Sequence, residues 1–439
     1  MAIPERFHAA AAARRLIILG MACLSCMAWC SSAVAPNFFG DFSDGRGRSL
    51  LEAAPAAPAG AAPGGGKVID VKVHGAVPDG KKDSTQAFMK AWVEACHSTG
   101  PTKLLFPAGT FLIGPVVFAG PCTASPMTVE IQGTVKGSTD VSQYSGPDWI
   151  LFESINDLTI TGSGTFDGQG QEVWKFNDCS QNPNCVLLAH SIKLNKVKKG
   201  LVEHISSVNA KAFHIFLFAC NDIRFNNLKI IAPGESPNTD GIHTSESNLI
   251  NITNTFISTG DDCVSIGQGT TNIHVHNVTC APGHGLSVGS LGKYKDEKDV
   301  MGVTITNCTL RNTTNGLRIK TWADSPPTQA SKISFQDIIL DAVKNPIIID
   351  QSYGSKDKSK PPSQVKISEV NYKNVRGTTI SVVPVSLQCS PKVPCEGIKL
   401  EEIDLSFVGS DKKMTAFANA CVNAKITTVG KQIPPACAV

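Results

Sequence analysis

Short runs in which apolar and polar residues alternate recur along most of the 439-residue chain. They are Leu158-Thr159-Ile160, Ile223-Arg224-Phe225, Ile250-Asn251-Ile252, Ile273-His274-Val275, Val303-Thr304-Ile305, Ile333-Ser334-Phe335, Val365-Lys366-Ile367 and Ile398-Lys399-Leu400. The outer residues of each triplet are apolar and the middle one is mostly polar, which is the period of a strand with one buried face. From Ile223 onward the first residues lie 27, 23, 30, 30, 32 and 33 positions apart. An Asn or Asp often follows, suiting a turn that needs left-handed backbone. A sandwich built from hairpins would place a turn about every 8–12 residues. Steps of the observed size match one coil of a stacked solenoid instead. The pattern predicts an all-β chain wound as a right-handed parallel β-helix.

One stretch departs from that rhythm. After Asp83-Ser84, the apolar residues Ala87, Phe88, Ala91, Trp92, Ala95 and Cys96 follow helical spacing behind an N-cap. A short helix at this point predicts a cap over the first coil, whose strand edges would otherwise be open. Residues 36–66 are rich in Ala, Pro and Gly, which predicts a disordered linker. Ahead of it, Arg14 and Arg15 precede an apolar run over residues 16–29, and Ala33-Val34-Ala35 offers a cleavage site. Residues 1–35 therefore read as a secretory signal, and residues 67–439 as the β-helix domain.

Composition adds little to the fold but narrows the function. The net charge is +3 and charged residues make up 18% of the chain, which excludes a dedicated nucleic-acid binder. No membrane attachment is expected once the signal is removed. Of 15 cysteines, three leave with the signal. Close spacing pairs Cys179 with Cys185, Cys263 with Cys280, Cys389 with Cys395, Cys421 with Cys437, and Cys96 with Cys122. Cys220 and Cys308 are left over in strand-like runs, and no spacing matches a zinc site. Sequons at Asn251, Asn277, Asn307 and Asn312 fit a secreted glycoprotein.

The chemistry concentrates in four polar clusters. They are Asn238-Thr239-Asp240, Gly260-Asp261-Asp262, Gly283-His284-Gly285 and Arg318-Ile319-Lys320. Asp240, Asp262 and His284 are each separated by 22 residues, one coil, so stacked coils would gather them on one face. Layers lie ~4.8 Å apart, so carboxylates this close hold at least one shared proton to higher pH. Metal-free glycosidic hydrolysis needs a carboxylic acid to protonate the leaving oxygen and a second carboxylate to activate water or attack. Adjacent Asp261 and Asp262 would point to opposite faces of a regular strand, so either the backbone bends at Gly260 or one of them is structural. The glycines beside His284 leave room for a ligand. Arg318 and Lys320 would face outward around an inward Ile319 and receive anionic groups. Tyr353, one coil on, is placed to stack against a sugar ring.

Together the four clusters resemble glycoside hydrolase family 28, the polygalacturonases, whose hallmarks are N-T-D, D-D, G-H-G and R-I-K. The resemblance runs from about Val68 to the C-terminal cysteines and includes Val73-His74-Gly75-Ala76. It implies a single-stranded, pectin-lyase-like solenoid with an open cleft. It also implies inverting hydrolysis of α-1,4-galacturonan, with no cofactor and no metal, by a secreted monomer acting in the cell wall. Asp261 is then the proton donor, Asp240 and Asp262 activate water, and His284 supports them. Asn238, Arg318, Lys320 and Tyr353 are implied to bind the polysaccharide. The segment over residues 289–299 is similar to plant pollen exopolygalacturonases, which implies release of galacturonate from chain ends. Endo action, a calcium-dependent pectate lyase, a rhamnogalacturonan hydrolase and a non-catalytic cell-wall solenoid are the alternatives.

Overall fold

A computed structural model describes residues 66–178, 182, 185, 187–355, 357, 359–409 and 416–437. The expected signal and most of the expected linker fall outside these residues. Among the described residues every strand pairing is parallel, in one sheet of 22 strands and another of 11. Each coil contributes in turn to three stacks. The first begins at Lys67–Asp70 and ends at Ala424–Ile433, and the second begins at Asp79–Asp83. These two merge because the long strand Thr328–Val343 pairs with both Val300–Thr306 and Thr309–Arg311. The third stack, from Val116–Ala119 to Ala420–Val422, forms the smaller sheet.

The alternating triplets line up as one column through the first stack. Leu158, Gly200, Ile223, Ile250, Ile273, Val303, Ile333, Val370 and Ile398 are successive partners. Val365 is not in this column: it pairs with Thr328, and Val370 takes the position expected for it. The column side chains point inward and are buried, apart from Gly200, which has none. Burial of each such aliphatic chain stabilises the fold by about 1.5–3 kcal/mol. The asparagines after the strands behave as expected. Asn227, Asn254, Asn277 and Asn307 have φ of 53°, 50°, 53° and 52°. Asn277 Nδ2 also donates to Asn254 Oδ1 of the preceding coil at 2.8 Å.

The helix α1 spans Thr85–Cys96, and the six apolar residues named above are all buried. Its capping differs from expectation. Ser84 occupies the N-cap without a side-chain bond to the helix, and its Oγ accepts from Val77 N–H at 3.1 Å. Asp83 Oδ1 instead accepts from Thr85 N–H at 2.8 Å. Trp92 stacks on Phe118 at 4.9 Å and donates Nε1–H to Ala119 O at 3.0 Å, fixing α1 on the first coil. Four expected disulfides are formed: Cys96–Cys122, Cys263–Cys280, Cys389–Cys395 and Cys421–Cys437. Cys179 lies outside the described residues, so its pairing with Cys185 is not described. Cys220 and Cys308 are buried free thiols.

Candidate active site

The site sits on the outer face of the third stack. Strands Ile242–Ser245, Val264–Ile266, Leu286–Leu291, Asn315–Trp322 and Asn345–Tyr353 pair successively there. Ile242, Val264, Leu286, Leu317 and Ile347 form a buried inward column. Asp240, Asp262 and His284 each lie two residues before a column member, so they stack on consecutive layers as their 22-residue step requires. Gly241 N–H donates to Asp262 O at 2.8 Å, and Cys263 N–H to Gly285 O at 2.9 Å, continuing the ladder past the strand ends.

The two adjacent aspartates have separate environments. Asp262 is 1% exposed, with both oxygens held. Oδ1 accepts from Arg318 Nη2 and from Ser287 Oγ at 2.9 Å, and Oδ2 accepts from Lys320 Nζ at 2.7 Å. Asp261 is more exposed, and its Oδ1 accepts from His284 Nδ1 at 2.9 Å and from Asp262 N–H at 2.9 Å. Asn238 Nδ2 donates to its Oδ2 at 3.4 Å. The backbone bends at Gly260, where a Cβ would lie 1.9 Å from Ser236 O, so this approach requires glycine.

Asp240 is buried, and Ser265 Oγ donates to its Oδ2 at 2.7 Å. The Ser265 proton is therefore committed, and its oxygen accepts from His243 Nδ1 at 2.7 Å. Burial, followed by the like charges of Asp261 and Asp262, holds Asp240 protonated well above the usual carboxylate range. Burial also pushes Asp261 upward, but the bond and charge of His284, with Lys320 and Arg318 behind it, bring it net below that range. For Lys320, burial opposes the charged form, yet Asp262 prevails and raises its proton affinity. His243 is lowered to about 4 by burial first and Lys320 second, so it is a neutral donor. The resting cluster thus keeps its proton on Asp240, with Asp261 as the anion beside His284 and Asp262 paired with Arg318 and Lys320.

All eight residues singled out in the sequence meet on this face. Ile319 is buried and Arg318 and Lys320 point outward, as the alternation required. They are not free docking charges, however, because both are committed to Asp262 and almost buried. Tyr353 supports them from below, its ring centroid 4.9 Å from Lys320 Nζ and 6.0 Å from the Arg318 guanidinium. Asp261, Asp262 and His284 bring ligand atoms within 4.8 Å of one another, close enough to hold a metal ion. A cation there would have to displace two buried positive groups from Asp262. Three contributors escaped sequence reasoning: His243, Ser265 and Ser287. They follow Asp240, Asp262 and His284 by three residues each, so the same 22-residue step would have found them.

The sequence profile of the glycosyl hydrolases family 28 matches residues 96–428. An exopolygalacturonase from Arabidopsis thaliana is 48% identical over 376 residues, covering 84% of this chain and 88% of its own. One from Platanus acerifolia is 44% identical over 371 residues, covering 84% and 97%. Among solved structures, a hyperthermoactive exopolygalacturonase from Thermotoga maritima superposes with a TM-score of 0.71 at 18% identity, covering 83% of this chain and 91% of that one. A polygalacturonase from Erwinia carotovora gives 0.66 at 22% identity, covering 84% and 99%. At those identities the structural likeness concerns the fold.

Proposed function

The chain belongs to glycosyl hydrolases family 28, and on that premise we propose that it hydrolyses α-1,4-galacturonosyl linkages of pectin from the chain end, releasing galacturonate. The observation that carries this reading is the three-aspartate cluster, with one imidazole contact and two cations gathered on the outer face of one sheet. The names of the plant relatives support the exo mode.

Asp261 is the proton donor in this reading, because it is the most exposed of the three and has His284 at its side. In the resting state it is anionic. A bound uronate adds negative charge and excludes water, both of which raise its proton affinity until it carries the proton the leaving oxygen needs. Asp262 is held as an anion by Arg318 and Lys320 and accepts the proton of the attacking water. Asp240 orients that water and keeps its own proton. Arg318 and Lys320, buttressed by Tyr353, present residual positive potential to a uronate carboxylate, and Asn238 borders the same space.

Inversion is part of this reading. Asp261 and Asp262 offer oxygens within 4.8 Å, tighter than the ~6.5–9.5 Å usual for inverting pairs. A carboxylate with both oxygens clamped by cations is nevertheless a poor nucleophile, which favours water as the attacking group. Secretion, action in the cell wall, glycosylation and a monomeric state complete the proposal, supported by the Arg14-Arg15 leader, the sequons and the disulfides.

The test compares wild type with Asp261→Asn on polygalacturonate. Wild type should release galacturonate with little loss of viscosity, survive a chelator, and give the inverted anomer first by proton NMR. Asp261→Asn should lose at least about 100-fold in turnover, the scale of general acid catalysis, with an unchanged unfolding curve. Rapid thinning would replace exo by endo action. Unsaturated products that vanish with the chelator would make the chain a lyase.

A further inference from the structure

Beyond Arg318 and Lys320 lies another positive charge that the hydrolytic chemistry does not use. Residues 292–298 form a loop after strand Leu286–Leu291, and one carboxylate organises it. Glu297 accepts from the backbone N–H groups of Gly292, Lys293 and Tyr294 at 2.6, 2.8 and 3.0 Å. Three such bonds to one charged acceptor fix the loop as firmly as a short helix cap would.

That geometry places Lys293 Nζ 5.4 Å from the Trp322 ring centroid and 5.5 Å from that of Tyr294. Trp322 lies two residues beyond Lys320 on the same outward face and meets Tyr353 edge-on at 5.4 Å. Tyr353 in turn supports Lys320 and Arg318. A continuous cation–ring series therefore leads from the acid cluster to Lys293. The charges along it differ in one respect. Arg318 and Lys320 share the carboxylate of Asp262, and Lys298 of the same loop pairs with Glu246. Among the described residues, Lys293 makes no ion pair and is exposed.

We propose that Lys293, held over Trp322 by the Glu297-capped loop, is a second uronate-binding position that grips the polymer one or more sugars away from the cleaved bond. The proposal rests on the reading of the site as a galacturonan hydrolase and extends it to where the uncut part of the chain lies. An exposed ammonium without an ion-pair partner suits a uronate carboxylate, and the two rings beneath it hold the charge in place.

The experiment measures kcat/KM on galacturonate oligomers of two, three and four units, for wild type, Lys293→Ala, Lys293→Arg and Lys295→Ala. Wild type should gain with chain length. Lys293→Ala should lose about fivefold of that gain, as expected for an exposed ion contact, with the loss shrinking at high salt. Lys293→Arg should keep the gain, and so should Lys295→Ala, which removes a neighbouring exposed charge. An unchanged length dependence in Lys293→Ala would overturn the proposal while leaving the hydrolase reading intact. An equal loss on every oligomer would overturn it too, by showing a disturbed acid site. Failure of wild type to cleave any oligomer would remove the hydrolase reading and this proposal together.

Discussion

Asp240 is the residue whose chemistry conflicts most with stability. Burial and two neighbouring carboxylates hold its proton on in the folded protein, whereas the unfolded chain releases it near the ordinary value of 3.8. Below that value both states are protonated and nothing is lost. As pH rises through it, the unfolded state gives up its proton first, so folding weakens until the raised native value is passed. Asp240→Asn removes this penalty. It should lower turnover only in part, because a neutral amide can still hold the attacking water, yet raise the melting temperature at pH 7, with the gain shrinking towards pH 4. A melting temperature that falls at neutral pH would show that Asp240 is held charged. Asp262 shows the opposite arrangement, a buried anion made tolerable by two cations placed two coils later. Its role was legible in the sequence only in part. The 22-residue step placed it beside Asp240 and His284, but alternation alone left open which of Asp261 and Asp262 would be buried. The local bend decides that, and it follows from the contact of Gly260 with Ser236, which no periodicity encodes.

At the scale of the strand, inward columns were readable and their starting points were not. A left-handed residue directly precedes every column member: Asp157, Lys199, Asp222, Leu249, Asn272, Gly302, Lys332, Glu369 and Gly397 all have positive φ. This bend sets the register. Five of the nine are Asp, Asn or Gly, which a turn would favour, but Lys, Leu and Glu give no such signal. Glu369 explains the misplaced triplet. Strand Val365–Thr379 alternates on both sides of it, and only the bend at φ 55° shows that Val370 starts the column. Non-glycine residues held in this region cost about 1–2 kcal/mol each. Leu249, with φ 57° and its side chain exposed, contributes little burial in return. Leu249→Gly should therefore raise the unfolding free energy by about 0.5–1 kcal/mol in urea titrations, after allowing for the added freedom of the unfolded chain. A destabilised variant would mean that Leu249 packs in solution in a way its exposure conceals.

Over the whole molecule, the parallel winding gathers residues from positions 238 to 353 onto one face, and a covalent link strengthens it near the proposed chemistry. Cys263 follows Asp262 directly, and its bridge to Cys280 closes 17 residues that end just before Gly283 and His284. Replacing both cysteines by serine should cost about 3 kcal/mol of unfolding free energy, the scale for a loop of this length. Activity should fall as well, since Cys263 Sγ lies against Gly283 and helps seat His284. Full activity with lowered stability would separate the bridge from the site. The winding also has a consequence for how such a site can vary. The interval between functional groups along the axis is a ruler graduated by backbone hydrogen bonds at ~4.8 Å, so no side-chain replacement can stretch or shrink it. Only the fences at the strand ends can be moved, and residues 292–298 are one of them. Changes in the length of chain accepted should therefore be written in the fences, while the graduations beneath Asp240, Asp262 and His284 stay fixed.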